Sequence, residues 1–293
     1  MLHLFYDKHI WKGEVLMSRE KRTVIYDEKL QIEAYHFNGI MQKFPNHFHE
    51  YYVIGFIENG QRKLTCKHKE YLINKGDMVI FNPLDNHACE QVDHHALDYR
   101  CLNINPEIMA KVAKEMMGKV YLPYFTSPVL VKTSYYASLL KELHEMIMKN
   151  ENGLEKEESF YFLMEYLIKK WSSAAPEDRK TSAADKRLDA VCRYIEENYK
   201  NHLTLDDLAS VGSMNKYTFL RSFTRKLGIT PYRYLQTVRI NQAKKLLEHG
   251  MKPLDVSVEI GFADQSHFSN FFIEFIGLTP GQYRDIYREK KQA

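Results

Sequence analysis

Two sets of side chains in this 293-residue sequence have types and spacings suited to chemistry. The first is histidine. His47 and His49 flank Phe48 just ahead of an apolar stretch, and His87 follows the run from Gly76-Asp77 through Pro83. Three imidazoles could hold zinc or iron(II). The preferred reading is plainer: they stand at the mouth of a β-barrel and hydrogen-bond a small ligand or the backbone, with Tyr51 beside them. No resident metal or other cofactor is expected. Cys66, Cys89, Cys101 and Cys192 have no metal-ligand spacing and form no disulfide framework. The second set lies towards the C-terminus: Lys216, Tyr217, Leu220, Arg221 and Arg225, then Gln265, Ser266, Ser269 and Asn270. Such side chains on one helix face suit DNA. Cations neutralise phosphates, Arg is bidentate to guanine, and Gln or Asn is bidentate to adenine.

An internal repeat positions this second set. Asn215 and Asp264, Phe219 and Phe268, Phe223 and Phe272, Gly228 and Gly277, Pro231 and Pro280, and Tyr234 and Tyr283 are all 49 positions apart. Self-similarity of this kind marks a duplicated unit. Each copy predicts a short helix, a glycine-containing turn and a capped second helix, over about 205–226 and about 253–276. That is a helix-turn-helix. In the first copy Thr204 and Asn215 cap the two helices, with Leu205, Leu208 and Ala209 on one face of the first and Phe219 and Phe223 inward on the second. In the second, Leu254, Val258 and Ile260 are expected inward, Asp264 caps, and Phe268 and Phe272 are buried. Gly228 and Gly277 stop the second helices. A continuous helix from Pro231 to about His249 joins the copies. At 1.5 Å per residue it is about 28 Å long. Successive major-groove faces on one side of DNA lie ~34 Å apart. Arg239 on this helix is expected to have a structural role, pairing with an acid such as Asp206 or Asp207.

Leu208-Ala209, the run Phe219-Leu220-Arg221-Ser222-Phe223, Gly228-Ile229-Thr230-Pro231, Arg239, Ala243, Gly261-Phe262, Phe268 to Phe272, and Gly277-Leu278-Thr279-Pro280 closing on Tyr283-Arg284 carry a resemblance. They resemble the DNA-binding domain of the AraC/XylS family of bacterial transcription regulators, over roughly the last hundred residues. The resemblance implies that Arg221 is the family's characteristic arginine. Many relatives carry Arg at the position of Asn270, so the second helix departs from the pattern and has little positive charge. Arg284 is a candidate for a phosphate contact.

Residues from about Val24 to Ile104 alternate as strands do. Eight or so short strands predict a small β-barrel or jelly roll. Tyr35, Phe37, Tyr51, Phe56 and Phe81 lie on them, and any that face the lumen would line a small-ligand pocket. The His47-Phe48-His49 and Gly76-to-His87 segments resemble a cupin, in particular the cupin-like sensor domain found upstream of AraC-type DNA-binding domains. In metal-binding cupins two His and a Glu of the first motif and a His of the second hold the metal. His47, His49 and His87 match three of these roles, but Val53 and Ile54 stand where the Glu is expected. Helices are predicted from Pro106 to about Met117, from Ser134 to Lys149 and from Ser159 to Trp171. The last two form an antiparallel hairpin. In relatives with this architecture such helices make a dimer interface, which implies a homodimer with twofold symmetry.

The expected fold is multidomain α+β. A cupin-like β-barrel with a helical hairpin fills 1–172, the barrel over about 24–104 and the helices over about 106–172. A linker covers 173–186. An all-α DNA-binding domain with two helix-turn-helix units joined by a long helix fills 187–286, and a tail covers 287–293. Net charge is +3, and it is uneven, with +4 over 185–293 and −1 over the remainder. This permits nucleic-acid binding. No apolar run approaches the ~18 residues that span a bilayer. The first 22 residues lack a signal-peptide core, so a cytoplasmic protein with no membrane partner is expected. These readings imply a sequence-specific transcription regulator. Its partners would be double-stranded promoter or operator DNA, a small-molecule effector in the barrel, and RNA polymerase. The alternatives are a metal-dependent cupin enzyme fused to a DNA-binding module, and a regulator without an effector.

Overall fold

The computed structural model describes residues 20–288, apart from 93, 119, 131–133, 152 and 174–182. Nine strands come first: β1 (Lys21–Asp27), β2 (Ile32–Ile40), β3 (Phe44–His47), β4 (Tyr52–Asn59), β5 (Arg62–Cys66), β6 (Lys69–Ile73), β7 (Met78–Phe81), β8 (His87–Gln91) and β9 (Leu97–Ile104). Three short strands follow, β10 (Tyr124–Phe125), β11 (Val129–Leu130) and β12 (Ser172–Ser173). The large sheet has the order β1-β2-β9-β4-β7-β11 and the smaller one β3-β8-β5-β6, while β10 pairs with β12. The two main sheets enclose a lumen but do not close into one ring, so the barrel expectation resolves into a two-sheet form. β3 meets β8 only through a shifted register between Phe44 and His47.

Alternation explains why β4 is apolar throughout. Successive side chains of a strand point to opposite faces. Val53 and Ile57 face the lumen, and Tyr52, Ile54 and Phe56 face the helices on the other side. Those helices are α1 (Pro106–Met117), α2 (Ser134–Met148) and α3 (Leu154–Trp171). Leu140, Leu143, Ile147, Phe160, Leu163 and Leu167 bury their apolar stripes against Ile54, Ile80 and Leu102 of the large sheet.

The C-terminal part is helical: α4 (Ala183–Asn198), α5 (Leu205–Val211), α6 (Lys216–Leu227), α7 (Pro231–Glu248), α8 (Pro253–Glu259), α9 (Gln265–Ile276) and α10 (Pro280–Arg288). Thr204 and Asp207 make a capping box on α5. Asn215 Oδ1 accepts from Thr218 N at 2.9 Å, and Asp264 Oδ1 accepts from His267 N at 2.7 Å. Each such cap is worth about 1 kcal/mol. Phe219, Phe223, Phe268 and Phe272 are fully buried.

Three local expectations need correction. On α5 and α8 the first apolar residue turns outward: Leu205 is 37% exposed while Leu208 and Ala209 are buried, and Val256 and the C-cap residue Ile260 are buried whereas Leu254 and Val258 are 58% and 72% exposed. The short helix α8 has two apolar i,i+4 stripes on opposite sides, and the stripe containing Ile260 is the one that packs. Arg239 pairs with neither Asp206 nor Asp207. Its Nε donates to Tyr199 O at 2.8 Å and its Nη2 to Asn201 O at 3.0 Å, serving carbonyls just past the end of α4. Asp206 pairs instead with Lys216. Finally, α4 starts at Ala183, inside the stretch expected as linker, and α10 runs through Tyr287 and Arg288, expected as tail. Residues 174–182 of that linker and 289–293 of that tail lie outside the described residues.

One apolar core joins the two parts. It contains Phe37, Val53, Leu64 and Phe81 from the sheets together with Phe268, Phe272, Phe275, Ile276 and Tyr283 from the helices.

Candidate DNA-reading faces and ligand cavity

Burial of Phe219 and Phe223 turns the opposite side of α6 outward. Lys216, Tyr217, Leu220, Arg221 and Arg225 are all exposed there. Arg221 Nη1 donates to Tyr217 Oη at 3.1 Å, and the guanidinium lies 5.5 Å from that ring's centre. The exposed Lys216–Asp206 pair, at 2.7 Å, contributes at most ~1 kcal/mol and leaves the ammonium available to a phosphate. On α9, Gln265, Ser266 and Asn270 are exposed and Ser269 is half-buried. These four offer amides and hydroxyls and no cation.

The lumen between the sheets is a cavity of about 100 Å³. Its floor and sides include Tyr35, Phe37, Val53, Leu64, Phe81, Tyr99 and Cys101, and no Asp, Glu, Lys or Arg among the described residues lines it. His47, His49, Tyr51 and His87 all line it, so the structure brings the four expected residues together. One nitrogen from each of the three imidazoles lies within 4.8 Å of the others. His49 stacks on Tyr51 at 4.8 Å and His87 on Phe81 at 3.9 Å. His47 Nδ1–H donates to Pro45 O at 2.6 Å, and His87 Nδ1–H to Asp85 O at 2.8 Å. Each bond fixes the tautomer and leaves Nε2 as the acceptor of the neutral ring. Burial, reinforced by His87 nearby, pushes His47 down to about 3. Burial pushes His87 down to about 4. His49 is also held well below its ordinary value, by burial and by the other two rings. The cluster is therefore three uncharged acceptors at neutral pH. Neutral imidazoles suit zinc or iron(II), but among the described residues no carboxylate or thiol joins them. Val53, at one of the positions where the cupin pattern has Glu, presents only a methyl-bearing wall to the cavity.

The remaining wall comes from the other part of the chain. Phe275 and Ile276, in the last turn of α9, line the cavity, and Phe275 meets His47 edge-on at 5.5 Å. Sequence reasoning missed both, because they sit beyond the Phe268/Phe272 stripe that already accounts for the helix. It also missed a buried ionic knot beside the cavity. Lys244 Nζ of α7 lies 3.2 Å from Glu33 Oε2 of β2, which also accepts from Asn103 Nδ2 at 3.1 Å. Tyr283 Oη donates to Glu33 Oε1 at 2.5 Å, and Tyr287 Oη donates to the same oxygen. Burial alone would raise the Glu33 carboxyl, but the Lys244 ammonium and the hydroxyl donors outweigh it and hold it below its ordinary value. Burial opposes the charge on Lys244 too, yet Glu33 and Tyr51 raise it above its ordinary value. The signal was present in Ile32-Glu33-Ala34-Tyr35. A charged residue on the buried face of a strand needs a partner from elsewhere.

Two protein-family models match the chain: an AraC-like ligand binding domain over residues 29–164, and a helix-turn-helix domain over residues 208–286. An uncharacterized HTH-type transcriptional regulator of Bacillus subtilis, YbfI, is 51% identical over 251 residues, covering 86% of this chain and 90% of that protein. The transcriptional activator RhaS of Escherichia coli is 26% identical over 248 residues, covering 83% and 87%. The crystal structure of an apo single-residue variant of ToxT from Vibrio cholerae matches with a TM-score of 0.53 at 16% identity, covering 90% of this chain and 99% of that one. A ToxT structure with bound unsaturated fatty acid matches with a TM-score of 0.50 at the same identity, covering 87% and 94%. These two likenesses speak for the fold alone.

Proposed function

Because the chain belongs to the AraC family of helix-turn-helix transcriptional regulators, we propose that a small molecule in the lumen controls its binding to promoter DNA. The observation that carries this reading is the shared wall. Phe275 and Ile276 belong to α9, so whatever fills the lumen touches a DNA-reading helix. An effector shifts an equilibrium only through different affinities for its states, and here the two states would differ in how α9 sits on the lumen. The relatives are regulators rather than enzymes, which removes the tethered cupin enzyme.

The lumen favours a compact, uncharged ligand with hydroxyl or amide donors. Three neutral imidazoles offer acceptors, aromatic rings supply the walls, and no charged side chain among the described residues waits there for a counter-ion. The bound fatty acid of ToxT is a precedent for a ligand in this fold, but not for this chemistry. On the DNA side, Arg221 and Arg225 read guanine or clamp phosphate, with Lys216, Tyr217 and Leu220 beside them. Gln265, Ser266, Ser269 and Asn270 read adenine-rich sequence more weakly. Two copies pair through α2 and α3, where Tyr135 and Phe162 are 70% and 63% exposed, an apolar face of the kind that marks an interface. RNA polymerase is the further partner at the promoter, in the cytoplasm. No helix among the described residues is long and apolar enough to cross a membrane.

A metabolite screen by thermal shift tests the effector reading. A ligand at 100 times its Kd stabilises the protein by about 2.7 kcal/mol. The hit must also change operator affinity, and operator DNA must change the hit's affinity by the same factor. A ligand that stabilises the protein without this reciprocity would leave the lumen uncoupled from DNA.

A further inference from the structure

The two units of the repeat end alike and are held alike. Gly228 and Gly277 stop α6 and α9 at φ of +70° and +87°. Each glycine carbonyl then lies outside the ladder of its helix. In both units the β-domain supplies donors for it. Asn46 Nδ2 and Asn86 Nδ2 each reach Gly228 O at 3.0 Å. Arg22 Nη1 reaches Gly277 O at 2.8 Å. Arg22 lies on β1, Asn46 on β3, and Asn86 just ahead of β8, so three separate segments converge on two equivalent atoms.

The approach is close enough to constrain the residue type. A Cβ on Gly228 would lie 2.9 Å from Asn86 Nδ2 and 3.1 Å from His68 Cε1. One on Gly277 would lie 3.0 Å from Phe37 Cζ. Glycine suits each position through the left-handed turn, and a Cβ there would also press on the side chains that hold the carbonyl. The second contact is braced as well: Arg22 Nη2 donates to Gln42 Oε1 at 2.8 Å, and Gln42 Nε2 donates to Glu274 O at 3.2 Å.

We propose that Asn46, Asn86 and Arg22 form a two-point seat that fixes the tilt of both reading helices, and so the spacing between the two half-sites the protein accepts. All three belong to the β-domain and act on the reading helices through the glycine carbonyls, so they are positioning residues. The lever is simple. Each reading helix has 12 residues and is therefore about 18 Å long. Its outward residues cluster towards the N-terminal half, and its C-terminal end is the held end. A tilt of about 10° about that end moves the other end by ~3 Å, close to the ~3.4 Å rise of one base pair. Releasing the seat therefore blurs spacing by about one base pair while each helix keeps its own reading residues. Half-site spacing is a geometric property of the protein, and the seat makes the β-domain part of that geometry.

The inference rests on both units reading DNA, and its test separates the two ideas. Bipartite duplexes from a random-sequence selection with the full-length wild type are rebuilt with one or two base pairs added or removed between the half-sites. Binding is measured for wild type, for the double variant Asn46→Ala/Asn86→Ala, and for Arg22→Ala. Asn46 and Asn86 are only half-buried, so their replacement leaves the cores intact. Asn86→Asp keeps the volume but turns a donor into an acceptor, and should repeat the effect. Wild type should lose about tenfold in affinity per altered base pair and the variants about threefold or less, with affinity for an isolated half-site unchanged. Variants with the wild-type spacing profile, or with tighter binding at every spacing, would overturn the seat. A wild type that selects only one tract would overturn the two-unit reading, and the seat with it.

Discussion

The 49-residue offset lines up every position of α6 with one of α9, and the pairs fall into two groups. Inward, Phe219 and Phe223 match Phe268 and Phe272, and all four are fully buried. Outward, Lys216 corresponds to Gln265, Tyr217 to Ser266, Leu220 to Ser269, and Arg221 to Asn270. Arg225 corresponds to Glu274, which is turned back to pair with Arg233 of α7 at 3.1 Å. The last turn diverges furthest. Lys226 pairs with Asp189 of α4 at 2.6 Å, whereas its counterpart Phe275 closes the lumen. The duplicated scaffold has kept its packing and divided its labour. In the function proposed above, the first unit carries the charge that holds DNA, and the second carries the contact through which the lumen is felt.

The largest expected effect separates the two cores. Phe223→Ala and Phe272→Ala should each cost about 3–5 kcal/mol. Phe272 belongs to the core shared with the sheets, and Phe223 to a core built mostly from α4–α7. Calorimetry should show the transition of the β-domain lowered by Phe272→Ala and unmoved by Phe223→Ala. Equal effects on that transition would erase the distinction. Next comes DNA. Arg221→Ala should lose ~1–3 kcal/mol of specific affinity and relax selectivity at one base pair. Asn270→Ala, at the matched position, should lose less, and a larger loss would reverse the assignment of the stronger reader.

A further effect, separate from either reading helix, is in pH. His47 is pushed down to about 3, and His87 and His144, a buried residue of α2 whose Nε2–H donates to Tyr35 O at 2.8 Å, to about 4, in each case chiefly by burial. An unfolded histidine titrates near ~6.5. Between these values the unfolded chain takes up protons that the folded chain refuses, so stability falls as pH drops. Each histidine contributes about 1.4 kcal/mol per pH unit over that window. Urea melts from pH 7 to pH 5 should show the β-domain weakening, and His144→Gln should remove one histidine's share of the slope. A flat profile would mean these rings are charged or solvated when folded.

Much of this is legible in the sequence for identifiable reasons. Helix caps and helix stops are local chemistry, and Thr204, Asn215, Asp264, Gly228 and Gly277 all act as their residue types dictate. The strand at Tyr52–Asn59 likewise shows as a short, almost wholly apolar run ended by the Glu58-Asn59-Gly60 turn. The lumen histidines stand out because His47, His49 and His87 are separated from the core pattern by type. What escapes is everything that depends on how the two parts meet. Leu254 and Val258 look like a packed stripe because α8 has two such stripes, and only tertiary contact chooses between them. Glu33, Lys244 and Tyr287 lie up to 254 positions apart, so no local pattern joins them. Phe275 and Ile276 read as ordinary helix residues until the lumen is beside them.

One experiment bears most directly on the division of labour between the units. Random duplex DNA is selected with the full-length protein at two salt concentrations, and the information at each bound base is read out. Two tracts centred about one helical turn (~34 Å) apart are expected. One should be rich in guanine contacts and strongly salt-dependent, and the other weaker and adenine-leaning. Two tracts of equal strength and equal salt dependence would contradict the view that α6 holds the DNA while α9 answers to the lumen, and a single tract would contradict the reading of DNA by both units.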